Sequence, residues 1–91
     1  MSANSESTAT VSTVILQAAL HARPAGRLAR LAADFRSAVL LEHADRTADP
    51  RGILAVMSLG ATAGSAVTIR AEGPDAEHAV QAIVQLFSEI E

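Results

Sequence analysis

Leu20-His21-Ala22-Arg23-Pro24-Ala25-Gly26 sets one imidazole just ahead of a proline suited to the first turn of a helix. There the missing proline N–H leaves no intrahelical bond unmade, and the fixed φ is already helical. The spacing therefore starts a helix near Arg23 and Pro24, with His21 at its mouth. Free backbone N–H groups and the positive end of the macrodipole make that mouth a site for an anion. A phosphoryl group on the imidazole would meet those N–H groups and the planar fork of Arg23. A neutral imidazole is a competent nucleophile. Taken alone, a histidine at this place is more often a helix-boundary residue without chemistry, and the adjoining Arg-Pro turns the reading the other way.

Outward from this stretch, Leu28, Leu31, Ala32 and Phe35 recur at helical spacing and form one apolar stripe on a helix running to about Asp34. Arg23, Arg27 and Arg30 fall on a different face, a basic ridge that is either a solvated surface or a docking surface. Before the helix, Val11 to Leu16 is short and β-branched, a strand ending in the Gln17-Ala18-Ala19 loop. After it, Ser37–Glu42 and Arg46–Ala48 read as strands joined by an Ala44-Asp45 turn. Asp49-Pro50-Arg51-Gly52 breaks the pattern.

Ile53 to Leu59 is apolar nearly throughout, and its periodicity fits strand or helix. Gly60 behind it is a natural helix terminator, which favours a short helix. Ala66 to Ala71 alternates Val67 and Ile69 against Thr68 and Arg70, a half-buried strand. Asp75 can cap a last helix whose apolar face is Ala79, Val80, Ile83, Leu86, Phe87 and Ile90. The order is β-α-β-β-α-β-α, an α+β fold in which one sheet buries three helical stripes. A ferredoxin-like βαββαβ fold is the competitor.

The chain has 91 residues, 49% apolar, with a formal net charge of −3, so it supports a single domain with an aliphatic core. Residues 1–10, mostly Ser, Thr, Ala and Asn, read as a flexible polar tail before a domain over 11–91. The acidic balance, without Trp or Tyr, argues against nucleic acid as a partner. No apolar run is long enough to span a membrane, and no Cys offers a disulfide or thiolate; a cytoplasmic, monomeric protein is expected. His43 and His78 share no ligand spacing with each other or with a carboxylate pair, and no glycine-rich phosphate loop is present, so neither metal nor nucleotide cofactor is expected.

His21-Ala22-Arg23-Pro24-Ala25 resembles the active-site motif of HPr, the histidine phosphocarrier of the bacterial phosphoenolpyruvate-dependent sugar phosphotransferase system. Ile53-Leu54-Ala55-Val56-Met57-Ser58-Leu59-Gly60 resembles that family's second motif, and Val67 to Gly73 resembles its last strand and following turn. The three segments lie in register, and the resemblance covers Val11 to Glu91. It implies an open-faced sandwich, a four-stranded antiparallel sheet with three helices on one face. It further implies a stoichiometric carrier rather than an enzyme, with His21 accepting a phosphoryl group on Nδ1 from phosphorylated Enzyme I and passing it to a sugar-specific enzyme IIA. Arg23 would hold the phosphoryl oxygens and Pro24 would set the helix start.

Docking would use Arg27, Arg30, Ile53, Leu54 and Met57, while Val56 and Leu59 are expected in the core. Many members carry a regulatory serine where this chain has Gly52, and commonly a small polar residue and Gly where it has Ala18 and Ala19. In some members the C-terminal carboxylate approaches the arginine, the place of Glu91 here. A carrier of a regulatory phosphorelay and a non-phosphorylated interaction module are the alternatives. Acceptor specificity and phosphorylation itself separate the three.

Overall fold

Every second side chain of two central strands points to the same side, and that side becomes the core. In β2 (Ala38–His43) these are Val39 and Leu41, and in β4 (Ala66–Glu72) Val67, Ile69 and Ala71, all buried. The computed structural model describes residues 9–90. β1 (Thr10–Ile15) lines one side of β4, with Thr13 opposite Thr68, and β2 lines the other, with Leu41 opposite Ile69. β3 (Arg46–Ala48) follows β2 through the Ala44-Asp45 turn, giving the order β1-β4-β2-β3 with every pairing antiparallel. The outer face is mixed: Arg70 Nε lies 3.3 Å from Glu42 Oε2 and the hydroxyls of Thr13 and Thr68 are 2.9 Å apart, while Val11 and Ile15 of β1 are exposed beside them.

Helices α1 (Ala22–Ala32), α2 (Ile53–Met57) and α3 (Ala76–Glu89) cover the apolar face. α3 lies across β1, β4 and β2, and α1 packs against α3 and α2. Leu28, Leu41, Ile69 and Ile83 are 0% exposed and Phe87 1%. Each such side chain contributes about 1.5–3 kcal/mol relative to an exposed one. This is the expected open-faced sandwich: α3 after β4, absent from a βαββαβ order, and the placing of β4 between β1 and β2 remove the ferredoxin-like alternative.

The element ends differ from the sequence reading for local reasons. α1 begins at Ala22, so Pro24 is its third residue rather than its first, still within the turn where no proline N–H is needed. It ends at Ala32, beyond which Asp34 and Phe35 donate to Leu31 and Ala32 at 3.1 Å in tight turns. Phe35 therefore sits past the helix yet packs on the core. α2 stops at Met57, and Leu59 and Gly60 close it with bonds to Val56 and Met57 before Gly60 turns to φ 71°. β2 runs one residue later than expected, leaving Ser37 outside it. Of the proposed tail, residues 1–8 lie outside the described ones, while Thr10 already pairs opposite Ala71 in β1.

Asp75 does precede α3, but its carboxylate makes no bond to that helix. It turns instead to the loop before β2, accepting the backbone N–H groups of Arg36 and Ser37 at 2.9 Å and the Ser37 hydroxyl. The Ser37 oxygen in turn accepts the Asp75 N–H at 3.0 Å. Ser37, a buried polar residue, is satisfied by this exchange. Hydrogen bonds from the Ser37 hydroxyl first, and from the Arg36 N–H next, hold the Asp75 carboxyl below its ordinary pKa.

Candidate phosphoryl-acceptor site

Buried Leu16 and Leu20 bracket the loop that carries His21 and anchor it from below. Its backbone is tied to the segment after α2: Leu16 N–H donates to Ser65 at 2.9 Å, Gly64 N–H to Leu16 at 2.8 Å and Leu20 N–H to Ala61 at 3.4 Å. The loop therefore needs neither a glycine nor a polar side chain at Ala18 and Ala19 to keep its course. Both are half-buried, and Ala18 packs on the core.

His21 is the N-cap residue of α1, with extended backbone (φ −75°, ψ −176°). Its carbonyl accepts the first helical bond, from Ala25 N–H at 2.9 Å, while its side chain makes no capping bond. The exposed ring is thus uncommitted at the helix mouth among the described residues. The N–H groups of Ala22 and Arg23 precede the first helical bond, and Pro24 has none to offer. An anion here would meet two backbone donors and the positive end of α1.

Arg23, two residues on, is exposed, and neither it nor Arg30 forms an ion pair among the described residues. Arg27 does: its Nη2 lies 3.2 Å from Glu89 Oε1 at the end of α3. Among the described residues the basic ridge of the sequence is therefore two unpaired cations with a paired one between them. Pro24 lies half-buried beside Arg27, Glu89 and Ile90 in a shallow cleft that Arg23 also lines. Glu91 lies outside the described residues.

α2 packs against α1 and exposes one apolar side. Leu54 is 78% exposed, Ile53 41% and Met57 40%, whereas Val56 and Leu59 are buried as expected. Gly52, its N-cap, offers no side chain to the free N–H groups of that helix. The turn before it is braced by Asp49, which accepts Arg51 Nη2 at 2.7 Å and Arg51 N–H at 2.9 Å. The Arg51 guanidinium bond is the main cause that lowers the Asp49 pKa.

At the other end, His43 Nδ1 lies 2.9 Å from the Leu59 carbonyl, and Arg46 Nη1 donates to that of Ser58 at 2.8 Å. These two side chains, absent from the sequence reading of the site, hold the end of α2 from the β2–β3 hairpin. Glu89 was missed too. It lies 62 residues from Arg27, so no local spacing announces their contact. His78 is exposed on α3. Among the described residues no three His, Cys, Asp or Glu side chains gather as metal ligands, and no helix is long and apolar enough to cross a membrane.

The family described as the PTS HPr component phosphorylation site matches residues 8–89. The chain is similar to the phosphocarrier protein HPr of Cupriavidus necator, 38% identical over 76 residues that cover 84% of this chain and 85% of that one. Its fold is similar to that of HPr from Bacillus anthracis, with TM-score 0.82, 31% identity and coverage of 87% and 96% of the two chains. It is also similar to Crh, the Bacillus subtilis catabolite repression protein, whose structure is an intertwined dimer with a swapped domain. There the TM-score is 0.74 and the identity 32%, over 86% of this chain and 90% of that one. The chain belongs to the HPr family, the phosphocarriers of the phosphotransferase system.

Proposed function

We propose that His21 accepts one phosphoryl group from phosphorylated Enzyme I and donates it to a sugar-specific enzyme IIA, the protein being charged and discharged rather than turning over a substrate. The observation that carries the proposal is the exposed His21 ring, free of any capping bond, at the mouth of α1 beside Arg23. The Nδ1 lone pair attacks phosphorus as the bond from phosphorus to the donor breaks. In the onward step the P–N bond breaks and the acceptor takes the phosphoryl group. Arg23 and the N–H groups of Ala22 and Arg23 stabilise the equatorial oxygens through both steps. Pro24 sets the start of the helix that aims those donors.

Both partners dock on one surface in this reading. Arg27 and Arg30 steer acidic partners, and the exposed sides of Ile53, Leu54 and Met57 supply the desolvated patch. The carrier works in the cytoplasm as a monomer; light scattering checks the last point, because the swapped dimer of Crh shows what the alternative looks like.

The test is incubation with phosphoenolpyruvate and Enzyme I, followed by mass spectrometry. One acid-labile phosphoryl group on His21, absent from His21→Ala, is expected. An acid-stable phosphate, or label retained in His21→Ala, overturns the assignment. Charging without delivery to any sugar-specific enzyme IIA would instead place the protein in a regulatory relay.

A further inference from the structure

The Arg27–Glu89 ion pair stands where two surface depressions meet. The smaller is lined by Arg23, Pro24, Arg27, Glu89 and Ile90, and opens on the first turn of α1. The larger, about 420 Å³, follows the seam between α1 and α3 past Arg30, Leu31 and Leu86. Arg27 and Glu89 line both, so the pair stands between the depression at the helix mouth and the one along the α1–α3 seam. Arg27 lies one helical turn from Arg23 on the same face, and side chains on a helix lean toward its N-terminus. Its guanidinium therefore has two destinations, the Glu89 carboxylate or the mouth of the helix.

Glu89 holds it lightly. The two side chains are 43% and 49% exposed, and Glu89 shares its carboxylate with Gln85, whose Nε2 donates to the other oxygen at 3.1 Å. An exposed pair of this kind is readily exchanged. A phosphoryl group brings roughly two negative charges and three strong acceptor oxygens against the single charge of the carboxylate.

We propose that Glu89 is a positioning residue for the phosphoryl site: it parks Arg27 on the uncharged protein and releases it to the phosphoryl oxygens once His21 is charged. The inference rests on His21 being the phosphoryl acceptor. Glu89 touches no reacting atom and takes part in no bond change. It sets how much of the time Arg27 is available beside Arg23.

The test charges the full chain with phosphoramidate, which phosphorylates imidazole without any protein partner, and confirms His21 by peptide mapping. The pKa of the phosphoryl group is then read from its ³¹P shift in wild type, Glu89→Gln, Arg27→Gln and the double variant. Glu89→Gln should lower that pKa by about 0.2–0.7 unit, the scale of one exposed ion pair. Arg27→Gln should raise it, and the Glu89→Gln effect should vanish in the Arg27→Gln background. A purely structural brace would move the melting temperature and leave this pKa unchanged. An unchanged pKa in Glu89→Gln, or an equal shift without Arg27, overturns the proposal. Failure of Enzyme I to charge His21 is read in a separate reaction and counts against the carrier reading.

Discussion

Arg23 is exposed and outside the buried core, so its proposed phosphoryl contact can be removed without disturbing the packing. Arg23→Ala should slow phosphoryl transfer by about 10²-fold, the usual cost of losing one transition-state donor. Stopped-flow transfer assays beside thermal melts check both halves of that statement. Gly52→Ser asks a different question. A Cβ there would meet Ala55 Cβ at 3.5 Å and the Asp49 carbonyl at 3.6 Å, ordinary contacts, and φ is −100°. The new hydroxyl can cap α2, so stability should hold or rise by a few tenths of a kcal/mol. With serine-directed kinase and ATP, the wild type should stay unlabelled and Gly52→Ser should be phosphorylated. Labelling of the wild type at Ser58 or Thr47 would show another hydroxyl in that role. Gly73 tolerates no such change. Its φ is 142° and a Cβ would stand 2.6–2.8 Å from Ser37, so Gly73→Ala should cost at least about 2 kcal/mol in denaturant titrations.

α2 presents two opposed faces within five residues, and each is separately testable. Val56 is buried, so Val56→Ala should lose about 1.5–3 kcal/mol of stability, the transfer of two methyl groups plus part of a cavity. Leu54→Glu should stay within about 0.5 kcal/mol of wild type in melts, yet weaken Enzyme I binding tenfold or more if this side chain is a docking contact. A variant that melts early and binds normally would move Leu54 into the structural class. The sequence made α1 and β4 plain, because Leu28 and Ala32 recur at helical spacing and Val67 and Ile69 at strand spacing. α2 was ambiguous for a physical reason: a single turn and a half samples too little of either period. What secures it is non-local, the His43 and Arg46 side chains that meet the Leu59 and Ser58 carbonyls just past its end from the hairpin. Those contacts leave no trace in the spacing of Ile53 to Leu59.

Across the molecule, the same division separates what was legible. The helix mouth at His21 follows from adjacent residues, whereas the Ser37–Asp75 and Arg27–Glu89 contacts join residues 38 and 62 positions apart. Asp75 accordingly read as a helix cap, because only the folded chain brings the loop before β2 to its carboxylate. That tie makes stability depend on pH. The folded pKa of Asp75 is depressed, so the unfolded chain binds more protons, and the contribution is present above the ordinary carboxylate range. It is lost as pH falls below about 4 toward the folded value. Urea titrations between pH 6 and 2 should show this acid limb flattened in Asp75→Asn, which should also be less stable at neutral pH. The sheet order carries a last consequence, for synthesis on the ribosome. β4 is the partner of both β1 and β2, yet it is the final strand to be translated. Only the β2–β3 hairpin can form before it, and so short a hairpin is marginal alone. The helix with His21 at its mouth is thus among the first parts made and among the last to gain a scaffold. A nascent chain arrested at Gly60 should be digested by protease throughout, and one extended past α3 should resist, with no protected fragment between.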